Sequence, residues 1–314
     1  MITIPPYLKK GDTIGLVAPA GYMHPDKMQT CLDSLEDWGY NISLGSTAQS
    51  NSHNYFSGTD TERLRDLQLM MDDKNINAVM CVRGGYGMSR IIDDLNFKKF
   101  VKNPKWLIGF SDITVLQAHV FSRYKIASLH APMAAAFNEG GFNSIYIQSL
   151  KEALEGKAAR YDCAPISFNK KGTASGILVG GNLSILVHLL GTKSELKTKD
   201  KILFLEDVGE YLYTIDRMLL QLKRSGKLDK LEGLIIGGFT ECKDTERPFG
   251  KEIYDLIYDQ VKEFNYPICF GFPVSHEKEN YALKMGGNYS LTIEDAKVVL
   301  EENISEEENE KHHS

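Results

Sequence analysis

The sequence predicts an α/β protein of two domains, the first built on a parallel sheet with helices on both faces. Two observations support this prediction. Short apolar runs of strand length alternate with segments of helical length through the first half of the chain, as they do in parallel sheets. The pattern changes after His130-Ala-Pro132, where one helical segment is followed by polar sequence of low periodicity. At 314 residues the chain is long enough for two hydrophobic cores.

Composition and charge indicate a soluble, mildly acidic protein. Apolar residues make up 42% and charged residues 25% of the chain, and the net charge is −6. Because there is no basic stripe, this balance argues against nucleic acid as a partner. The residues from Met1 to Tyr7 lack the pattern of a signal peptide, and the longest apolar runs are far shorter than a membrane span. We therefore expect a cytoplasmic protein with neither nucleic acid nor membrane as a partner.

The cysteines are few and widely scattered. They are Cys31, Cys81, Cys163, Cys242 and Cys269. Their odd number argues against a disulfide framework, and no C-x-x-C or H-E-x-x-H spacing indicates a metal site. We expect reduced thiols that are mostly buried, no metal and no cofactor.

The elements predicted for the first half alternate between strand and helix. Strands are expected at Thr13–Ala18, Asn41–Leu44, Ile76–Val82 and Trp106–Ile108, and helices at about Pro25–Trp38, Asp60–Met71, Met88–Leu95, Val115–Tyr124 and Ser144–Leu154. Gly21, Gly84, Gly85 and Ser111 would then lie at the carboxyl ends of the strands, where ligands bind in such sheets.

The second half has its own strands and helices. Strands are expected at Ser175–Val179, Lys201–Leu205, Leu234–Ile236 and Ile268–Phe270, and helices at Leu183–Leu190, Leu212–Ser225 and Lys251–Phe264. A hairpin around Gly286-Gly287-Asn288 is expected to join Ala282–Met285 to Tyr289–Ile293. The resulting domains span residues 1–156 and 173–300, with a linker at 157–172. Residues 301–314 form a charged tail that we expect to fray.

The run from Trp106 to Thr114 predicts a buried strand, a sharp turn at Ser111 and the start of a helix. A serine at such a turn projects its hydroxyl beside the free N–H groups of a helix start, which is the geometry of a nucleophile elbow. The sequence G-F-S-D lacks the second glycine of G-x-S-x-G, and serine is also an ordinary N-cap residue. Ser111 is therefore a candidate nucleophile, with N-capping as the alternative.

A serine nucleophile needs a base, and histidine is the usual one. His276 is the best candidate, because it ends an apolar run that begins at Ile268 and opens a polar loop. His130 follows a predicted strand and stays open as an alternative. His119 and His188 lie in predicted helices, where packing or a surface position is the simpler role.

The base in turn needs an orienting group. The apolar strand Lys201–Leu205 ends in two carboxylates, Glu206 and Asp207, and burial of such groups is costly unless they are paired. Successive side chains of a strand point to opposite faces, so only one of the two can face a given histidine. Capping of the helix that begins near Tyr211 is the alternative role.

Two further segments are rich in glycine. Arg83-Gly-Gly-Tyr-Gly87 joins a strand to a helix, so its backbone N–H groups are suited either to an oxyanion or to a phosphate. It does not match the dinucleotide-binding fingerprint, because no third glycine follows at the required spacing. Val179-Gly-Gly-Asn-Leu183 is interpreted as a point of close approach between the two domains.

Seven motifs together resemble the LD-carboxypeptidase family of serine peptidases, family S66. They are Gly15–Ala20, Val82–Gly87, Ile108–Thr114, His130–Met133, Gly176–Leu183, Leu205–Glu210 with Ile215–Leu219, and Gly271–His276. They occur in the family's order and cover nearly the whole chain. The resemblance implies a flavodoxin-like N-terminal domain with a parallel sheet, a smaller β-rich α+β C-terminal domain, and a homodimer.

Carried over residue by residue, the resemblance implies a Ser–His–Glu triad. Ser111 matches the nucleophile, His276 the base and Glu206 the orienting carboxylate, which is also our preference between the two acidic residues. The oxyanion hole would consist of the backbone N–H groups of Gly85 and Asp112.

The resemblance also implies a small peptide substrate. Family members cleave the bond between an L-centre and a C-terminal D-residue, typically releasing D-Ala from the murein tetrapeptide in peptidoglycan recycling. A second branch cleaves peptidyl-nucleotide antibiotics of the microcin C type. A carboxypeptidase must neutralise its substrate's terminal carboxylate, and Arg83 is the candidate, with a structural ion pair as the alternative. A non-catalytic two-domain protein that binds small molecules is the alternative from another class.

Overall fold

The computed structural model describes residues 1–141 and 144–304, and residues 305–314 of the predicted tail lie outside this range. The strands in this part of the chain are β1 (Thr13–Val17), β2 (Asn41–Leu44), β3 (Ala78–Cys81), β4 (Trp106–Gly109), β5 (Ser128–His130), β6 (Arg160–Cys163), β7 (Gly172–Asn182), β8 (Lys201–Val208), β9 (Gly233–Thr240), β10 (Ile268–Phe270), β11 (Leu283–Met285), β12 (Asn288–Ile293) and β13 (Val298–Glu302).

The α-helices of the same residues are α1 (Gln29–Asp37), α2 (Asp60–Asp72), α3 (Met88–Ile91), α4 (Lys98–Lys102), α5 (Thr114–Tyr124), α6 (Ile145–Leu154), α7 (Leu183–His188), α8 (Leu212–Arg224) and α9 (Ile253–Val261). Short 3-10 helices lie at Pro25–Met28, Ile92–Asp94, Ser111–Ile113 and Ala134–Asn138. Among the helices of the described residues, none combines the length and the apolar character that a bilayer crossing requires.

The chain forms two compact units. The first consists of Met1–Lys157 and Tyr281–Met285, and the second of Ala158–Asn280 and the residues from Gly286 onward.

The sheet of the first unit has six strands in the order β2-β1-β3-β4-β5-β11. The neighbouring pairs from β2 to β5 are parallel, and β11 pairs antiparallel with β5 at the edge. The parallel part has the strand order of flavodoxin-like proteins, so the predicted fold class is confirmed. All residues of β3 and β4 are buried, as expected for parallel strands covered on both faces. The core around them includes Trp106, Ile108, Leu16 and Ile14, which are fully buried.

The carboxyl ends of these strands bring three predicted segments to one edge of the sheet. The strand order reverses between β1 and β3, and ligands bind at such a reversal in open α/β sheets. The loop after β1 is tied to the loop after β3, because the Gly21 N–H donates to the Gly84 carbonyl over 3.0 Å. The Gly84 backbone in turn packs against Ser111, which follows β4.

The second unit contains a seven-stranded mixed sheet with the order β10-β9-β8-β7-β12-β13-β6. The pairs from β7 to β10 are parallel, and α7, α8 and α9 lie in the connections between those strands. The pairs β7–β12, β12–β13 and β13–β6 are antiparallel. The class of a second, strand-rich domain with both α and β elements is therefore confirmed.

The hairpin predicted around Gly286-Gly287 is wrong. β11 pairs antiparallel with β5 in the first sheet, whereas β12 pairs with β7 and β13 in the second. The two glycines instead pair with Leu178 of β7, because the Gly286 N–H donates to the Leu178 carbonyl over 2.7 Å and the Leu178 N–H donates to Gly287 over 2.9 Å. The chain therefore leaves one sheet and enters the other at this point.

Two elements fall where the sequence predicts a linker or a tail. β6 lies within residues 157–172, and β13 runs to Glu302, past the predicted end of the domain at residue 300. β6 is an edge strand whose side chains other than Tyr161 are exposed or partly exposed, so its apolar pattern is weak. The Glu302 carboxylate accepts from the Ala159 N–H over 3.0 Å, which fixes the start of β6 to the end of β13.

Gly180 is required by the packing of two strands within one sheet. Its φ is +143°, and a Cβ at this position would lie 1.9 Å from the Phe204 carbonyl oxygen of β8. No side chain fits at that distance, so the glycine allows β7 and β8 to pair. At this motif the structure shows a close approach of β7 to β8 within the second unit, and the approach between domains stays a prediction.

Candidate active site

Ser111 occupies a strained turn at the end of β4. Its φ is +63°, in the left-handed region that non-glycine residues rarely adopt. The residue before it, Phe110, is extended, and Ser111 begins the 3-10 helix that leads into α5. A strained residue between a strand and a helix is the backbone arrangement of a nucleophile elbow. In the structure Ser111 does not cap this helix through its side chain, so the N-cap alternative is not supported.

The glycine loop after β3 lies against this serine. A Cβ on Gly84 would lie 2.9 Å from the Ser111 Cβ, 3.1 Å from its Oγ and 3.3 Å from the Asp112 nitrogen. Only a residue without a side chain allows this approach. The next residue, Gly85, has a φ of +94°. The predicted oxyanion donors are thus on two segments that touch each other at Ser111.

The side chain of Asp112 connects the turn at Ser111 to the end of the glycine loop after β3. It is 1% exposed, and its Oδ2 accepts from the Met88 N–H over 2.8 Å at the start of α3. Burial raises the pKa of Asp112 to about 6, although the Met88 hydrogen bond and the charge of Arg63 act in the opposite direction. The sequence predicts only a backbone role for Asp112, and the signal for the role of its side chain is an acidic residue directly after the serine.

A Gly84→Ala substitution is expected to reduce activity about 100-fold, because the added methyl group must displace either Ser111 or the glycine loop after β3. Initial rates of substrate hydrolysis measure the effect. Gly176→Ala is the control, because its Cβ would be no closer than 3.5 Å to its neighbours and its backbone is not in the left-handed region. Equal activities for the two variants would contradict the proposed contact.

Arg83 is exposed and makes no ion pair within the described residues. Its guanidinium donates to the Tyr22 carbonyl, which holds the side chain over the loop after β1. By contrast, Arg63 and Arg90 both form ion pairs with Asp60. The structural ion pair considered for Arg83 is therefore not observed.

Glu206 and His276 are hydrogen-bonded to each other in the second unit. The His276 Nδ1 and the Glu206 Oε2 are 2.6 Å apart, and the Glu206 side chain is fully buried while that of His276 is 15% exposed. Glu206 lies in β8, opposite Asn182 of β7. This bond favours the tautomer in which Nδ1 carries the proton and Nε2 is the basic nitrogen.

The loop that carries His276 is fixed by its neighbours. The Gly238 N–H donates to the Val274 carbonyl over 2.9 Å, which ties the loop to β9. The Ser275 hydroxyl donates to the Glu279 carbonyl and accepts from the Glu277 N–H, each over 3.0 Å. The imidazole is thus held by backbone contacts on both sides of its position.

The environment of His276 favours its protonated form. Burial alone would lower the pKa of the imidazole, but the hydrogen bond and charge of Glu206, with smaller contributions from Asp207 and Glu241, outweigh burial and raise it. A neutral imidazole is needed to accept a proton, so activity should increase with pH through a midpoint above the usual 6.5. A pH profile of kcat/KM measures this midpoint, and a value well below 6.5 would contradict the assignment of His276 as base.

Asp207 points away from His276, as the alternation along the strand predicts. Its carboxylate accepts from the Asn182 side chain and from the Ser184 N–H, each over 2.9 Å, at the start of α7. Burial, with the nearby charge of Glu206, raises the pKa of Asp207 to about 7. The capping alternative therefore applies to Asp207, although the helix is α7 and not the one near Tyr211.

His130 and His119 have buried surroundings that suit packing, whereas His188 is exposed. His130 is fully buried in β5, with its ring centre 5.6 Å from that of Phe110. His119 is 5% exposed and stacks on Phe97 with ring centres 4.9 Å apart. In the part of the chain that the structure describes, no group of three or more His, Cys, Asp or Glu side chains is arranged for a metal ion.

The structure therefore places the predicted residues in two groups. Ser111, Gly85, Asp112 and Arg83 belong to the first unit, at the carboxyl edge of its sheet. Glu206 and His276 belong to the second unit, where they form a buried pair.

Comparison with known proteins identifies the family. Residues 14–131 match the LD-carboxypeptidase N-terminal domain and residues 175–291 match the LD-carboxypeptidase C-terminal domain. The chain belongs to the LD-carboxypeptidase family. The resemblance seen in the sequence is thereby confirmed over most of the chain.

Three family relatives are informative. A probable murein peptide carboxypeptidase of Bacillus subtilis is 35% identical over 96% of this chain and 95% of its own. The crystal structure of the muramoyltetrapeptide carboxypeptidase from Oxalobacter formigenes is similar with a TM-score of 0.84 and 28% identity, covering 93% of this chain and 99% of that one. The microcin C7 self-immunity protein of Escherichia coli is 24% identical over 94% of both chains.

Proposed function

We propose that this LD-carboxypeptidase family member is a cytoplasmic serine carboxypeptidase that releases the C-terminal D-Ala from the murein tetrapeptide. Two relatives, from Bacillus subtilis and Oxalobacter formigenes, carry names that refer to murein or muramoyl peptides, and both cover nearly the whole chain. The observation that carries the chemical part of the proposal is the 2.6 Å hydrogen bond between the His276 imidazole and the buried carboxylate of Glu206. A carboxylate on Nδ1 prepares a histidine for proton transfer at Nε2.

In the proposed reaction, Ser111 attacks the carbonyl carbon of the scissile L-D peptide bond while His276 takes the hydroxyl proton. The resulting oxyanion accepts hydrogen bonds from the backbone N–H groups of Gly85 and Asp112. His276 then donates its proton to the nitrogen of D-Ala, the C–N bond breaks, and an acyl-enzyme remains. Water attacks this ester by the same route and regenerates Ser111.

The hydrogen bond of the Asp112 side chain supports the proposed oxyanion hole. Removal of a single donor commonly reduces kcat about 10²- to 10³-fold. The two N–H donors must therefore stay at fixed positions relative to the Ser111 hydroxyl. The hydrogen bond from the Met88 N–H to the Asp112 carboxylate links the turn at Ser111 to the helix after the glycine loop, α3.

Mass spectrometry of reaction mixtures tests the proposed substrate. Purified protein is incubated separately with L-Ala-γ-D-Glu-meso-diaminopimelate-D-Ala, with the corresponding L-Lys stem, and with a peptidyl-adenylate. We expect release of D-Ala from a stem peptide. A folded protein that releases none from either stem would contradict the proposal, and cleavage of the peptidyl-adenylate alone would assign the chain to the microcin immunity branch.

A further inference from the structure

Tyr55 is held at the carboxyl edge of the first sheet by the loop after β1. It lies between β2 and α2, and its carbonyl accepts from the Tyr22 N–H over 2.9 Å. The next residue, Phe56, forms an antiparallel bridge with Gly21. The Tyr55 ring also packs edge-on against Phe56, with ring centres 5.2 Å apart. The backbone of this tyrosine is therefore tied to a segment that itself contacts the glycine loop.

The hydroxyl of Tyr55 lies over Gly85, one of the proposed oxyanion donors. A Cβ on Gly85 would be 3.1 Å from the phenol oxygen. The side chain is 59% exposed, and among the described residues no group is hydrogen-bonded to the hydroxyl. The phenol O–H beside Gly85 is therefore able to donate to a ligand that binds at this position.

The charges around Tyr55 favour an anion. The Arg83 side chain lies close to Gly21, which itself adjoins Gly85. A Cβ on Gly21 would be 3.6 Å from the Arg83 Nε. Arg83 makes no ion pair within the described residues, whereas the Asp60 carboxylate forms ion pairs with Arg63 and Arg90. A cationic guanidinium and a phenol O–H donor therefore flank Gly21 and Gly85.

We propose that Tyr55 binds the terminal carboxylate of the substrate together with Arg83, an inference that rests on the proposed function. In a carboxypeptidase substrate, three bonds separate the scissile carbonyl carbon from the terminal carboxylate carbon. The two carbons are thus about 3 to 4 Å apart. A donor for that carboxylate must lie directly beside the residue that binds the oxyanion, and Tyr55 has this position relative to Gly85.

The test compares two substrates on each enzyme. One is the tetrapeptide with a free D-Ala carboxylate, and the other is the same peptide ending in D-alaninamide. Because a hydrogen bond to a charged group is lost, Tyr55→Phe should reduce the preference for the free acid about 10- to 100-fold. The loss should appear mainly in KM, with kcat nearly unchanged, because the carboxylate is bound equally in the ground state and the transition state.

Tyr86→Phe is the matched control. Tyr86 is 47% exposed and also packs near Phe56, but its hydroxyl is bonded to Arg90. This variant should keep the wild-type preference. The ratio of the two substrates is measured on one preparation, so partial unfolding of a variant does not affect it.

The outcomes separate this inference from the proposed function. If the wild type prefers the free acid and Tyr55→Phe retains the whole preference, the role of Tyr55 is wrong. The role is equally wrong if the wild type processes the acid and the amide at the same rate. If the wild type releases nothing from the tetrapeptide, the proposed function itself fails.

Discussion

Replacement of Ser111 by alanine is expected to reduce kcat for D-Ala release about 10⁴- to 10⁶-fold. The hydroxyl is the only group at this turn that can form the acyl-enzyme in the proposed reaction, so its removal eliminates the covalent route. The oxyanion donors and the substrate contacts remain, and binding should change little. Stopped or timed assays with mass-spectrometric detection of D-Ala measure the loss.

The fold of the Ser111→Ala variant provides the control. Alanine keeps the Cβ and the same backbone constraint at a φ of +63°, and within residues 1–141 and 144–304 no hydrogen bond of the serine hydroxyl supports the fold. The free energy of unfolding should therefore stay within about 0.5 kcal/mol of the wild type. A variant that folds normally and retains more than a hundredth of the wild-type kcat would contradict the assignment of Ser111 as nucleophile.

Replacement of Glu206 by glutamine is expected to reduce kcat about 10³- to 10⁴-fold. The amide has nearly the same shape as the carboxylate, but it carries no charge to stabilise the imidazolium and can present its NH₂ to Nδ1, which favours the wrong tautomer. Because Glu206 raises the pKa of His276, the acid limb of the residual activity should also move to lower pH. A pH profile of kcat/KM measures both effects.

Asp207→Asn is the matched control for this prediction. Asp207 is the next residue of the same strand and is almost equally buried, but it faces Asn182 and Ser184. Its replacement should reduce kcat less than about tenfold, because asparagine can still accept from Ser184. A larger effect at Asp207 than at Glu206 would reverse the assignment of the orienting carboxylate.

The Glu206–His276 pair is predictable in part from the sequence. Side chains alternate along a strand, so Glu206 and Asp207 are expected to face opposite sides, and His276 is expected to open a loop after a buried strand. The choice of Glu206 came partly from the family resemblance, because alternation alone does not say which side faces the histidine. The structure supplies the missing information, through the 2.6 Å contact with His276 and the bonds of Asp207 to α7.

Features that depend on distant parts of the chain were not predictable in this way. Gly-Gly-Asn is a strong local turn signal and predicts a hairpin, yet Leu283–Met285 pairs with β5, far away in the sequence. The sequence does not predict β6, because an edge strand with one buried side chain has little periodicity. Tyr55 lies in a loop with no motif, and its position over Gly85 depends on the bond between its carbonyl and Tyr22.

A labelling experiment tests the central claim most directly. A fluorophosphonate reacts with an activated serine, whose oxygen bonds to phosphorus while fluoride leaves and the histidine takes the proton. Peptide mass spectrometry of the labelled wild type should find the adduct on the peptide that contains Ser111, with none on Ser111→Ala and much slower labelling of His276→Ala. Equal labelling of wild type and Ser111→Ala, or an adduct on another serine of the active wild type, would contradict the proposed triad.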